Sequence, residues 1–216
     1  MCALHPVRIW FDKVGDAKYI SHLDLVRFFG RALSRAGIPA WYTEGFNPHP
    51  YLNFAAPLSL GAESENDCVD IKLEGDIPFS EMLEQLRSAM PREIFARLIT
   101  TPLHPFSAIE RALYRYSFSE AGSETVLTRF LEANEIVAEK KGKKGQADTQ
   151  INIKEYMRDY TAELGADGCT LSATLPAGNK FSVNPLLLAG ALDAAGIPCM
   201  GVRRLRLLLA DSSPFA

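Results

Sequence analysis

The sequence predicts an α+β protein made of two ferredoxin-like β-α-β-β-α-β units packed in tandem, the first with an extra strand. Short β-branched and aromatic runs bounded by turn residues alternate with helical stretches in both halves. Prolines at 102 and 105, around Leu103-His104, interrupt any regular element and divide the chain into 1–103 and 104–216. Ala32-Leu33-Ser34-Arg35-Ala36-Gly37-Ile38-Pro39 also resembles Ala191-Leu192-Asp193-Ala194-Ala195-Gly196-Ile197-Pro198. Both are helix ends with glycine as the left-handed cap, so the echo reflects either this shared chemistry or a duplication. It joins the first helix of one half to the second of the other, which does not favour a clean tandem repeat.

In the first half, Val7–Phe11 reads as a strand and His22–Ala36 as a helix. Leu25, Phe29, Ala32, Leu33 and Ala36 share one helical face, and His22 falls on the same side. Ser21 followed by Asp24 has the spacing of a capping box. Ile38–Thr43, Asn53–Leu58 and Asp67–Glu74 read as strands, with Glu63-Ser64 in a turn before the last. The helix Phe79–Ala89 begins after Pro78 and ends before Pro91, and the strand Ile94–Thr100 follows. In the second half, the strand Leu113–Phe118 precedes the helix Glu124–Asn134, with Ser123 as its cap, and the strand Ile136–Lys141. Strand Thr170–Leu175, helix Pro185–Ala195 and strand Val202–Leu209 complete it. The segment Ile151–Tyr160 receives no assignment.

The net charge of −3 weighs against a protein that coats nucleic acid, yet its distribution leaves a local RNA footprint open. Acidic residues cluster in 63–84. Basic ones cluster in Lys140-Lys141-Gly142-Lys143-Lys144 and Arg203-Arg204-Leu205-Arg206. No run approaches the roughly 18 apolar residues of a membrane span, so no membrane partner is expected. The first residues lack the basic-then-apolar pattern of a secretory signal. Cys2, Cys68, Cys169 and Cys199 are scattered without a Cys-x-x-Cys pair. This argues against a zinc ribbon or an iron–sulfur cluster held by this chain, and for reduced thiols in the cytoplasm.

The most informative stretch runs from Tyr19 to Pro57. Gly45-Phe46-Asn47-Pro48-His49-Pro50 is stiff and polar, because its prolines fix φ and push Asn47 and His49 into extended backbone. His49 has no evident structural duty there. A loop that holds polar side chains in place generally binds something. His22 and Asp24 stand at a helix N-terminus, where an anion is also welcome. Arg27, Arg31 and Arg35 lie with Asp24 on the opposite face, either as a solvated basic stripe or as a track for phosphates. Glu63 could pair with Arg27 or His22, or face water. Metal binding by His22, His49 and Asp24 or Glu63 would suit nitrogen and oxygen ligands, but the spacing matches no metal motif. Ser21 lacks the nucleophile-elbow context of a hydrolase.

These residues resemble one family. Phe11-x-Lys13-x-Gly15, Tyr19-Ile20-Ser21-His22-Leu23-Asp24-Leu25-x-Arg27, Arg31-Ala32-Leu33 and Gly37-Ile38-Pro39 are similar to the radical SAM-linked protein family. So are Tyr42-x-x-Gly45-Phe46-Asn47-Pro48-His49-Pro50, Phe54-Ala55-x-Pro57-Leu58 and Gly61-x-Glu63-Ser64. That family is a domain fused to, or encoded beside, a radical S-adenosylmethionine enzyme. The similarity is dense from about 7 to 75 and thinner beyond. The resemblance implies a radical SAM enzyme as partner. The association of such genes with those for ribonuclease G and ribosomal proteins implies RNA or ribosome chemistry. The chain lacks the Cys-x-x-x-Cys-x-x-Cys motif, so S-adenosylmethionine and an iron–sulfur cluster are expected only on that partner.

The expected function is an accessory RNA-binding module. Basic residues, Lys140, Lys141, Lys143 and Lys144 among them, would position phosphates, while Tyr42, Phe46 or His49 meets an unpaired base. A likeness to the tandem ferredoxin-like endoribonucleases that process repeat RNA is one of fold alone. The rival expectations are an RNA-cleaving or RNA-modifying enzyme with His22 and His49 as acid and base, and a protein-only adaptor.

Overall fold

The computed structural model describes residues 4–118, 123–140, 142, 147–165 and 168–216. The chain is α+β and divides into two compact units, Met1–Ala108 with Phe215–Ala216, and Ile109–Pro214. Every strand pair described within either unit is antiparallel. Among the described residues, no helix is long and apolar enough to cross a membrane.

The first unit is built on β1 (Leu4–Lys13), which lies between β3 (Glu63–Glu74) and β4 (Ile94–Thr100). A two-residue strand, β2 (Asn53–Phe54), pairs with β3 at Asp70 and Val69. Alternate residues Val7, Ile9 and Phe11 of β1 and Val69, Ile71 and Leu73 of β3 are buried. This is the period of a sheet with one face on a core. Two helices, α1 (His22–Arg35) and α2 (Phe79–Ala89), supply Leu25, Phe29, Leu33, Met82 and Leu86 to that core. The rings of Phe11 and Phe29 stand 4.7 Å apart, and Phe54 meets Phe29 edge-on at 5.3 Å.

The other face of β1 carries Arg8, which is fully buried. Its Nε donates to Asp70 Oδ1 at 2.7 Å and its Nη2 to Oδ2 at 3.0 Å. The guanidinium also donates to the carbonyls of His104 and Ala216 and sits 4.6 Å from the ring centres of Phe106 and Phe215. A buried charge is tolerated where it is paired and its remaining donors are occupied in this way.

In the second unit the strand order is β10 (Cys199–Leu208), β5 (Arg111–Phe118), β9 (Gly168–Pro176), β8 (Arg158–Gly165). Ala112, Tyr114, Tyr116 and Phe118 of β5 face a core shared with Leu171, Ala173 and Leu175 of β9. The unit's helices are α3 (Ser123–Glu132) and α4 (Pro185–Ala194). The latter starts with Asn184 Oδ1 accepting from the backbone N–H of Leu186 and with proline in its first turn. A separate hairpin joins β6 (Val137–Lys140) to β7 (Thr149–Asn152).

Several expected elements differ. Ile38–Thr43 is not a strand. Pro39 has no N–H to give, and the segment touches β3 through one bridge, Ala40 to Leu73, with Trp41 N–H donating to the carbonyl of Lys72. The expected strand 53–58 shrinks to β2, and Glu63 and Ser64 lie inside β3 rather than in a turn. The additional strands therefore stand in the second unit, as the β6–β7 hairpin, not in the first. The unassigned segment 151–160 holds the end of β7, a 3₁₀ turn at Ile153–Glu155 and the start of β8. Tyr160, Ala162 and Leu164 alternate along β8, but its described side chains from Arg158 to Glu163 are exposed, so the alternation marks no buried face there.

Candidate functional site

The site is organised by α1 and the chain returning from it. Ser21 caps the helix. Its Oγ accepts from Asp24 N–H at 3.2 Å and donates to Asp24 Oδ2 at 2.6 Å, so the reciprocal bond of the cap runs through the hydroxyl. Asp24 Oδ1 also accepts from Arg27 Nη1 at 3.1 Å. The Ser21 hydroxyl, and after it Arg27, hold the exposed Asp24 carboxyl below its ordinary value.

Arg27, Arg31 and Arg35 are exposed along one side of α1. Arg35 Nη2 donates to the carbonyl of Ala89 at 2.9 Å. Arg31 makes no hydrogen bond or ion pair among the described residues, though its charge reaches Asp24 through space. Mid-helix Gly30 lies between these arginines and the buried stripe. A Cβ there would stand 3.4 Å from Pro50 Cγ, so the bare backbone leaves the floor low where residues 49–52 run past.

The result is a groove of about 760 Å³, lined on the helix by Arg27, Gly30, Arg31 and Ser34 and on the loop by His49, Pro50 and Leu52. Its volume lies within the roughly 300–1,000 Å³ of small-molecule sites.

The loop is held by its own side chains. Thr43 N–H donates to the carbonyl of His49, and a bridge joins Tyr42 to Pro50. His49 Nδ1 lies 3.0 Å from the Asn47 carbonyl and 3.1 Å from Thr43 Oγ1. The carbonyl can only accept, so the proton is assigned to Nδ1 and Nε2 is left open. Gly45, with φ +131°, makes the bend that no β-carbon would favour. Beyond it Phe46 is fully exposed, an aromatic ring in water at the loop tip.

The structure thus brings Arg27, Arg31 and His49 to one groove. His22 does not join them. Its ring meets Phe54 edge-on at 5.4 Å and lines a separate pocket with Lys13 and Asp67, about 20 Å³ and room for a single water. Asp24 stands at the helix start on Arg27. Asn47 serves the loop through its carbonyl. Glu63 Oε1 accepts from Gly15 N–H at 2.8 Å, which ties the start of β3 to the turn before α1. Lys140 is exposed at the end of β6, while Lys141, Lys143 and Lys144 lie outside the described residues. No group of three His, Cys, Asp or Glu able to hold a metal occurs among the described residues.

Sequence reasoning missed Gly30, Ser34 and Leu52 in the groove and Lys13 and Asp67 in the small pocket. Gly30 was findable: a glycine inside a helical pattern costs about 1 kcal/mol against alanine and asks for a reason. Lys13 is 3 % exposed, and its Nζ reaches the carbonyl of Ile20 at 3.5 Å.

Compared with known families, residues 7–185 match the one described as "Uncharacterized protein conserved in bacteria (DUF2344)". No curated protein matches the chain.

Proposed function

Because the chain belongs to DUF2344, a bacterial family whose description names no activity, we propose its function from the site: an accessory RNA-binding module that works in the cytoplasm with a separate radical SAM enzyme. The observation that carries this reading is the groove, with arginines and His49 on its walls and the exposed ring of Phe46 on the same loop. Guanidinium groups bind phosphate and stack on bases, and an unpaired base accepts an aromatic or imidazole neighbour. Placement of the histidines in separate cavities gives no support to a paired acid and base.

Ferredoxin-like architecture is part of the proposal. The orders β4-β1-β3-β2 in the first unit and β10-β5-β9-β8 in the second support it. The radical SAM partner rests on the motif resemblance, and that enzyme would bring S-adenosylmethionine and its cluster. A protein-only adaptor is the second reading. Tyr19, Leu23 and Leu60 favour it: they are more than half exposed, and Gly61 N–H donating to the Lys18 carbonyl holds the Leu60 turn beside Tyr19.

The deciding measurement is the affinity of the whole chain for short single-stranded RNA across a salt series. Binding that weakens steeply with salt supports the module. Absence of binding at low salt removes it and leaves the adaptor.

A further inference from the structure

The three arginines of α1 are not equivalent. Arg27 is engaged by Asp24 and Arg35 by the Ala89 carbonyl, while Arg31 between them is uncommitted among the described residues. One helical turn past Gly30, Ser34 adds a hydroxyl to the same wall. Val26 on the helix and Pro50 and Leu52 on the loop give the groove an apolar lining at its floor, and Gly30 adds no side chain there, where a Cβ would touch Pro50 Cγ at 3.4 Å. Across the groove the polar side chain on the loop is His49, whose Nδ1 is taken by the loop and whose Nε2 is not. A cation with a hydroxyl, an apolar lining and an imidazole nitrogen on the loop form a set that matches phosphate, base and sugar.

Resting on the RNA-binding reading, we propose that the α1 groove seats one ribonucleotide of an unpaired strand, its phosphate on Arg31 and Ser34, its base on the Val26–Pro50–Leu52 floor and its sugar hydroxyl at His49 Nε2. Arg27 and Arg35 stand one helical turn to either side, about 6 Å along the axis. They meet the neighbouring phosphates once a strand displaces their present contacts. A groove reader of this kind differs from a basic surface: a steric block that leaves every charge in place must abolish its binding.

The test uses the full-length chain and fluorescently labelled single-stranded oligoribonucleotides of mixed sequence, with deoxyribonucleotides of the same sequence as competitors. Gly30→Met fills the floor without altering charge, and Gly30→Ala is the milder version. Arg31→Gln removes the uncommitted cation. Circular dichroism melts establish that each variant is folded. Gly30→Met and Arg31→Gln should each weaken RNA binding tenfold or more, with Gly30→Ala between them and wild type. The wild type should prefer RNA to DNA by several-fold, and His49→Ala should lose that preference. A folded Gly30→Met that binds RNA as wild type does would overturn the groove while leaving RNA binding by the module intact. Equal wild-type affinity for RNA and DNA overturns the ribonucleotide assignment. No RNA binding by the wild type overturns the inference together with the reading it rests on.

Discussion

Asp24 shows how one side chain serves both the fold and the site. Its pKa is lowered on folding from an ordinary value of 3.8, first by the Ser21 hydroxyl and next by Arg27. A folded value below the unfolded one means that the stabilising contribution is complete above pH 3.8 and disappears as pH falls through the folded value. An NMR titration should place the Asp24 midpoint under 3.8, and Ser21→Ala should move it upward; a wild-type midpoint at or above 3.8 contradicts the cap. A second contrast separates binding from packing. His49 is exposed, whereas Leu33 is 1 % exposed in the core. His49→Ala should impair RNA binding with little change in melting temperature, and Leu33→Ala should cost roughly 2–5 kcal/mol. Comparable losses of stability in the two variants would show that the loop histidine holds the fold. These residue roles were legible in part. The capping box stood in the order Ser21, Asp24, and the stiffness of the loop in its prolines. Side-chain partners across segments, such as Glu63 on Gly15, depend on register and were not.

At the scale of elements, the helices were read to within a few residues because their apolar period and end signals are local. Strand edges were not. Ile38–Thr43 has the composition of a strand, but Pro39 and the return of the chain at Pro50 reduce it to bridges. β8 failed in the opposite sense: its alternating Tyr160, Ala162 and Leu164 follow the charged pair Arg158-Asp159 and went unassigned, and pairing with β9 makes it a strand. The groove was half legible. The arginine stripe was visible in sequence, but the loop that becomes its far wall is brought there by tertiary structure. The β6–β7 hairpin carries a prediction of its own. Lys140 is exposed at the end of β6, and three more lysines follow in sequence. Replacing Lys140, Lys141, Lys143 and Lys144 by glutamine should weaken RNA binding alike for different sequences and flatten its salt dependence. Unchanged affinity and slope would make this run a solubility feature.

For the whole molecule, the division into two units is less simple than a cut in the chain. Phe215 and Ala216 belong with the first unit, where Phe215 covers Arg8 and its ring lies 6.2 Å from that of Trp10. Phe215→Ala should therefore destabilise the first unit by about 3–5 kcal/mol. Hydrogen exchange should quicken in β1 before β5, and faster exchange confined to β5 would contradict this. This return is not legible in the sequence, since a lone phenylalanine has no period. The bond from Arg8 to the Ala216 carbonyl closes a span of 208 residues. Contacts of such separation form late, because the closure entropy of the intervening chain must be met first. During synthesis Arg8 has Asp70, the His104 carbonyl and the Phe106 ring within the first unit, whereas the Phe215 ring and the Ala216 carbonyl can reach it only after the whole second unit has been translated.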